Sequence, residues 1–108
     1  MILINVRFRP LPEHAEDFRE KVAEFTEASR AEDGCLFFDW YRNTDDPNEY
    51  LLIEAFKDDA AEAHVGSDHF KAAGELFPTI LKETPTIINT LIEGKLEWDE
   101  MAEFKVEN

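Results

Sequence analysis

The chain predicts an α+β fold of the ferredoxin-like, split-βαβ kind: an antiparallel sheet with helices on one face. Three observations carry that expectation. Strand-length apolar runs and amphipathic helical stretches follow one another in the order β-α-β-β-α-β. The second and third strands are separated only by Asn43-Thr44-Asp45-Asp46-Pro47-Asn48, a turn cluster that suits a hairpin. The length of 108 residues is that of one domain.

The first strand is residues 2–8, where Ile2, Ile4, Val6 and Phe8 alternate with Leu3, Asn5 and Arg7. Arg9-Pro10-Leu11-Pro12 ends it. Pro12 suits a first helical position, where its missing N–H costs nothing. Phe18, Val22, Phe25 and Ser29 then recur at helical spacing, which predicts a helix over residues 13–31. Gly34 reads as the turn after it. Residues 35–42 and 49–56 are the next two strands. Asp58 or Asp59 caps a short helix ending near His64, and Gly66 breaks it. Ser67 is a good N-cap for a second helical piece, whose length Gly74 and Pro78 should limit. The β-branched run 86–92 is the fourth strand, with Pro85 tolerated at its start. Residues 1–94 form the domain. Residues 95–108 form a tail carrying Trp98, Met101 and Phe104 among acids, and it can reach a partner subunit.

Twenty-five acidic residues oppose 11 basic ones, a net charge of -14. That disfavours nucleic acid and anionic membranes, both of which need a basic surface. No apolar run approaches the roughly 20 residues of a membrane span, and Met1-Ile2-Leu3-Ile4 lacks the form of a signal peptide. One cysteine, Cys35, allows no intrachain disulfide, so the cytoplasm is the expected compartment. Strands one and three carry large aliphatics on both faces. Helices cover only one face, so a homodimer packed through the sheets is expected.

Two strands each contain one acid, Asp39 and Glu54, and an acid in a strand is costly to bury without a partner. In register, both would face the helices beside Phe56. They read either as a structural hydrogen-bonded pair or as a general acid and base. His64 and His69 follow within 15 residues of Glu54. Their five-residue spacing, interrupted by Gly66, is not the i, i+4 pair of a zinc helix, so no metal is expected. Phe37, Phe56, His69 and Asn5 are the candidates for lining a pocket that takes a flat organic molecule. No phosphate loop, nucleotide fingerprint or Ser/His/Asp arrangement is present, and no cofactor is expected.

Three stretches resemble the antibiotic biosynthesis monooxygenase domain family. They are Glu32-Asp33-Gly34-Cys35-Leu36-Phe37-Phe38-Asp39, the strand Tyr50-Leu51-Leu52-Ile53-Glu54-Ala55-Phe56, and Ala63-His64 with His69-Phe70-Lys71-Ala72. The resemblance spans roughly residues 2–92 and implies a dimeric α/β barrel. It implies one of three activities: quinol or polyketide oxygenation without metal or flavin, haem degradation, or isomerisation of a phosphorylated dihydroxy-diketone signal. Phe56 stands where the first two branches typically carry Trp, and Gly74 where haem degraders carry His. Val6 takes the place of their Asn, with Asn5 one residue off. Haem degradation is therefore disfavoured. Glu54-Ala55-Phe56, Asp39 and His64 look closest to the isomerase branch, yet a phosphorylated substrate wants basic residues that this acidic chain lacks.

The leading expectation is a cofactor-independent monooxygenase acting on a quinol-like or polyphenolic molecule. His64 or Glu54 would be its base, and Asp39 would orient it. The alternatives are the isomerase and a non-catalytic dimer that binds a small aromatic molecule.

Overall fold

A computed structural model describes residues 1–107. Four strands, β1 (Ile2–Phe8), β2 (Cys35–Arg42), β3 (Tyr50–Phe56) and β4 (Thr86–Leu91), form one sheet in the order β2-β3-β1-β4. All neighbours are antiparallel. The helices α1 (Phe18–Lys21), α2 (Ala23–Arg30), α3 (Ala61–Val65) and α4 (Asp68–Ile80) supply the second layer. This is the ferredoxin-like α+β fold that the order of elements predicts.

The core lies between the sheet and α1, α2 and α4. From the sheet come Val6, Phe8, Phe38, Tyr50, Leu52 and Phe56, all buried. From the first helices come Phe18, Val22, Phe25 and Ser29, the stripe expected from the spacing. Two polar ties fix this layer. The Tyr50 hydroxyl donates to the Ala15 carbonyl at 2.6 Å, and Trp40 Nε1 donates to Thr26 Oγ1 at 2.8 Å. Buried Tyr and Trp need such partners for their polar ends.

The long first helix expected over 13–31 is in fact three pieces. A 3-10 turn at Pro12–His14 comes first, and α1 and α2 meet at Val22, whose φ and ψ of -101° and 10° are not helical. The apolar stripe keeps its face across the break, so periodicity could not reveal it. The opposite correction applies to α4, which runs through both Gly74 and Pro78. A proline in a helix clashes with the carbonyl four residues back. Here that residue is Gly74, whose missing Cβ leaves the backbone freest to yield.

Asp58 and Asp59 do not cap α3. Its N-cap is Ala60, and Asp58 instead pairs with the Met1 amine at 2.7 Å. Ser67 does cap α4, accepting from the Phe70 N–H at 3.2 Å. The same hydroxyl donates to the His64 carbonyl at 2.6 Å, so it pins the end of α3 to the start of α4.

A β-bulge decides which face Asp39 occupies. Cys35 pairs with Phe56 but Phe37 pairs with Ala55, so two steps on β2 match one on β3. Past the bulge, Phe38 stands opposite Glu54 and Asp39 opposite Ile53. Asp39 therefore lies on the outer face, half exposed, 3.6 Å from Arg30 Nη2. The expectation that Asp39 and Glu54 share the helix-facing side is overturned, because a bulge exchanges the faces of everything beyond it.

Candidate active site: two histidines on one glutamate

Glu32 sits in the short connection between α2 and β2. The connection packs tightly, because Gly34 lies against Ala60 just before α3, and Lys57 N–H donates to the Gly34 carbonyl at 2.8 Å. Glu32 is thereby brought beside the last turn of α3. His64 Nδ1 lies 2.6 Å from Glu32 Oε2, and His69 Nε2 lies 2.6 Å from the same oxygen. Each imidazole N–H donates and the carboxylate accepts, at the short distance typical of charge-assisted bonds. The break at Gly66, read from sequence as separating the two histidines, is what lets both rings converge.

The Glu32 bond sets the tautomer of His64. With the proton on Nδ1, Nε2 keeps its lone pair. That nitrogen lies 3.6 Å from Glu54 Oε1. Glu54 is 5% exposed, and its carboxyl is pushed up to about 7, chiefly by burial and secondly by the negative charge of Glu32. A carboxyl near 7 can give or take a proton at neutral pH. Below His64 lies the Phe56 ring, centroid to centroid 4.6 Å.

Glu54 and His64 stand on the wall of a cavity of about 610 Å³ between the sheet and α3 and α4. Its remaining wall is largely apolar, with Ile4, Phe25, Leu52, Phe70 and Phe77 prominent, and Asn89 of β4 on the far side. The volume falls within the roughly 300–1,000 Å³ usual for small-molecule sites. Neither Lys nor Arg lines it. Gly74 forms part of the wall, and a Cβ there would meet nothing within 4 Å.

Of the residues expected at the site, Glu54 and His64 meet at the cavity. Phe56 supports His64 from the core, and His69 joins through Glu32. Asp39, Asn5 and Phe37 do not join. Asn5 stands opposite Ile53 and Ile88 on the outer face, and Phe37 packs its ring 5.6 Å from Trp98 of the tail. Glu32 was not among the expected site residues, although it opens the motif that carries the family resemblance. That place in the motif was the available signal, since its partners lie 32 and 37 residues away along the chain. Phe25, Phe70, Phe77 and Asn89 were not among the expected pocket residues, and nothing in their spacing marks a cavity.

Residues 1–76 match the antibiotic biosynthesis monooxygenase family. The chain belongs to that family. The matched span holds Glu32, Glu54, His64 and His69, and ends before β4 and the tail. Among curated relatives, YcnE of Bacillus subtilis is 29% identical over 72 residues, covering 66% of this chain and 76% of its own. Among solved structures, PA3566 of Pseudomonas aeruginosa is 28% identical with a TM-score of 0.72, over 82% of this chain and 90% of that one. Rv0793 of Mycobacterium tuberculosis is 27% identical with a TM-score of 0.71, over 87% and 98%. No helix among the described residues is long and apolar enough to cross a membrane.

Proposed function

We propose that this protein is a small monooxygenase that deprotonates an uncharged, hydroxylated aromatic molecule and lets the resulting anion react with dioxygen. The family supports the reaction class. The observation that carries the assignment of roles is the arrangement around His64. Glu32 holds its Nδ1, and its Nε2 looks toward Glu54 at the wall of an apolar cavity. That is a base with an orienting partner. Glu32 takes the part expected of Asp39.

In this reading His64 Nε2 removes the phenolic proton. The electron-rich phenolate passes one electron to dioxygen, and the pair recombines at a ring carbon to give a peroxide. The ring C–H proton is then lost and the O–O bond breaks. One oxygen stays as the quinone carbonyl and the other leaves as water. The substrate supplies the electrons, so no outside reductant is required. Glu54, able to hold a proton near neutrality, returns one to the departing oxygen. Phe25, Phe70 and Phe77 hold the ring and keep water out.

Proton transfer between two carbons of a small dihydroxy-diketone would draw on the same Glu54 and His64. A phosphorylated form gains nothing from this cavity, because no Lys or Arg lines it. Oxygen uptake with a panel of naphthols and quinols separates the readings. Stoichiometric uptake with quinone formation supports the oxygenase. Tight binding of the same compounds without uptake favours the isomerase or a purely binding role.

A further inference from the structure

Glu32, His64 and His69 come from three segments: the α2–β2 connection, the end of α3 and the first turn of α4. Their ligand atoms all lie within 4.8 Å of one another. Both rings already aim a nitrogen at one carboxylate oxygen. The His64 and Glu32 side chains are 4% and 16% exposed. Two further observations point toward a cation. Among the described residues, neither Glu32 nor Glu54 has a Lys or Arg as ion-pair partner, so two largely buried carboxylates share only imidazoles. Behind His64, its other nitrogen faces Glu54. A carboxylate behind a ligating imidazole is the usual outer support of a metal-bound histidine.

We propose that Glu32, His64 Nδ1 and His69 Nε2 form a binding site for a divalent first-row transition-metal ion of the zinc type. Imidazole and carboxylate are the ligand classes such ions take, and three protein ligands leave a fourth position open. With bonds of about 2.0–2.1 Å, the ligand atoms must part from 2.6 Å to roughly 3.3 Å. Small rotations of the side chains supply that. The ion and the base are then mutually exclusive. An ion on Nδ1 takes the lone pair there and leaves the ring proton on Nε2, donated to Glu54. His64 cannot accept a substrate proton in that state, so the bound ion acts as a brake on proton transfer.

The test is titration of the chelator-stripped wild-type protein with Zn²⁺, followed by calorimetry and by NMR of the imidazole rings. The expected result is one ion per chain. The ring signals of His64 and His69 should shift, while those of His14, paired with Asp17 3.2 Å away, stay put. This comparison needs no variant. Glu32→Gln and His69→Gln should each weaken binding at least about tenfold, and Cys35→Ser should not. The proposal is overturned if His64 and His69 do not shift, or if both Gln variants bind as tightly as wild type. Oxygen uptake by the stripped protein reads the oxygenase assignment separately, so either idea can fail without the other.

Discussion

Gly34 and Ala60 lie so close that a methyl group on Gly34 would overlap the Ala60 side chain. Gly34 is needed for this approach and not for an unusual turn, since among the described residues Gly94 alone has a positive φ. The approach presses the Glu32 connection onto the start of α3, and so delivers a carboxylate to His64.

Gly34→Ala should therefore act on stability and activity together. The overlap has to be relieved by backbone movement, at a cost of about 1–3 kcal/mol. Thermal melting should fall by roughly 4–8 °C for each kcal/mol. Turnover should fall too, because Glu32 moves with the loop. An unchanged melting point would mean that the contact is slack.

His64→Ala, Glu32→Gln and Glu54→Gln address the proton-transfer unit. Loss of His64 should lower turnover on an identified substrate by about 10²–10⁴. Glu32→Gln keeps the ring in place while weakening its grip, so a smaller loss in kcat with little change in KM is expected. Wild-type kcat in all three variants would make the cluster structural.

Glu54 predicts a pH dependence of stability in the metal-free protein. Its folded pKa is about 7, above the ordinary 4.5. Between those values the folded chain holds a proton that the unfolded chain has lost. Stability relative to high pH is thus present below about 4.5 and declines as pH rises to about 7. Above that the buried charge costs on the order of 3 kcal/mol. Glu54→Gln should match wild type near pH 4 and exceed it at pH 8 in urea melts. Parallel curves for the two proteins would show that Glu54 is not raised.

Gly74→Leu should fill part of the cavity at some cost in stability, because Gly74 is the residue that lets α4 continue through Pro78. A Cβ added at Gly74 meets nothing within 4 Å, so the first atom of the new side chain enters open space on the cavity wall. The variant should stay folded by circular dichroism, melt somewhat below wild type, and lose ring binding by calorimetry. Retained binding would place the ligand elsewhere.

The outer sheet face predicts a homodimer. Leu3, Leu51 and Ile53 stand there without a helix over them, and Ile88 on the edge strand is 75% exposed. Light scattering at micromolar concentration should return about twice the 12.5 kDa chain mass. A stable monomer would overturn this.

The order of elements, the buried stripe Phe18-Val22-Phe25-Ser29 and the Ser67 cap were legible from residue order, because each depends on residues a few positions apart. So were Glu54 and His64 as candidates, since a buried acid and a nearby histidine are local signals. The face of Asp39 was not. It follows from one extra residue near Leu36, a bulge that two strands settle between them by pairing. Nor was the continuity of α4 through Pro78, which depends on Gly74 one turn earlier.

What residue order determined by itself is therefore the periodic part of the protein: strands, apolar stripes and the polar residues that interrupt them. Tertiary structure alone decided that Glu32 meets His64 and His69, which lie 32 and 37 residues away. It also decided that Asn5, Phe37 and Asp39 stand outside the site. The reason is physical. Side-chain alternation along a strand is set within a few residues, whereas the meeting of a loop carboxylate with two helices requires the Gly34–Ala60 approach, the Ser67 tie and the core packing to be satisfied together.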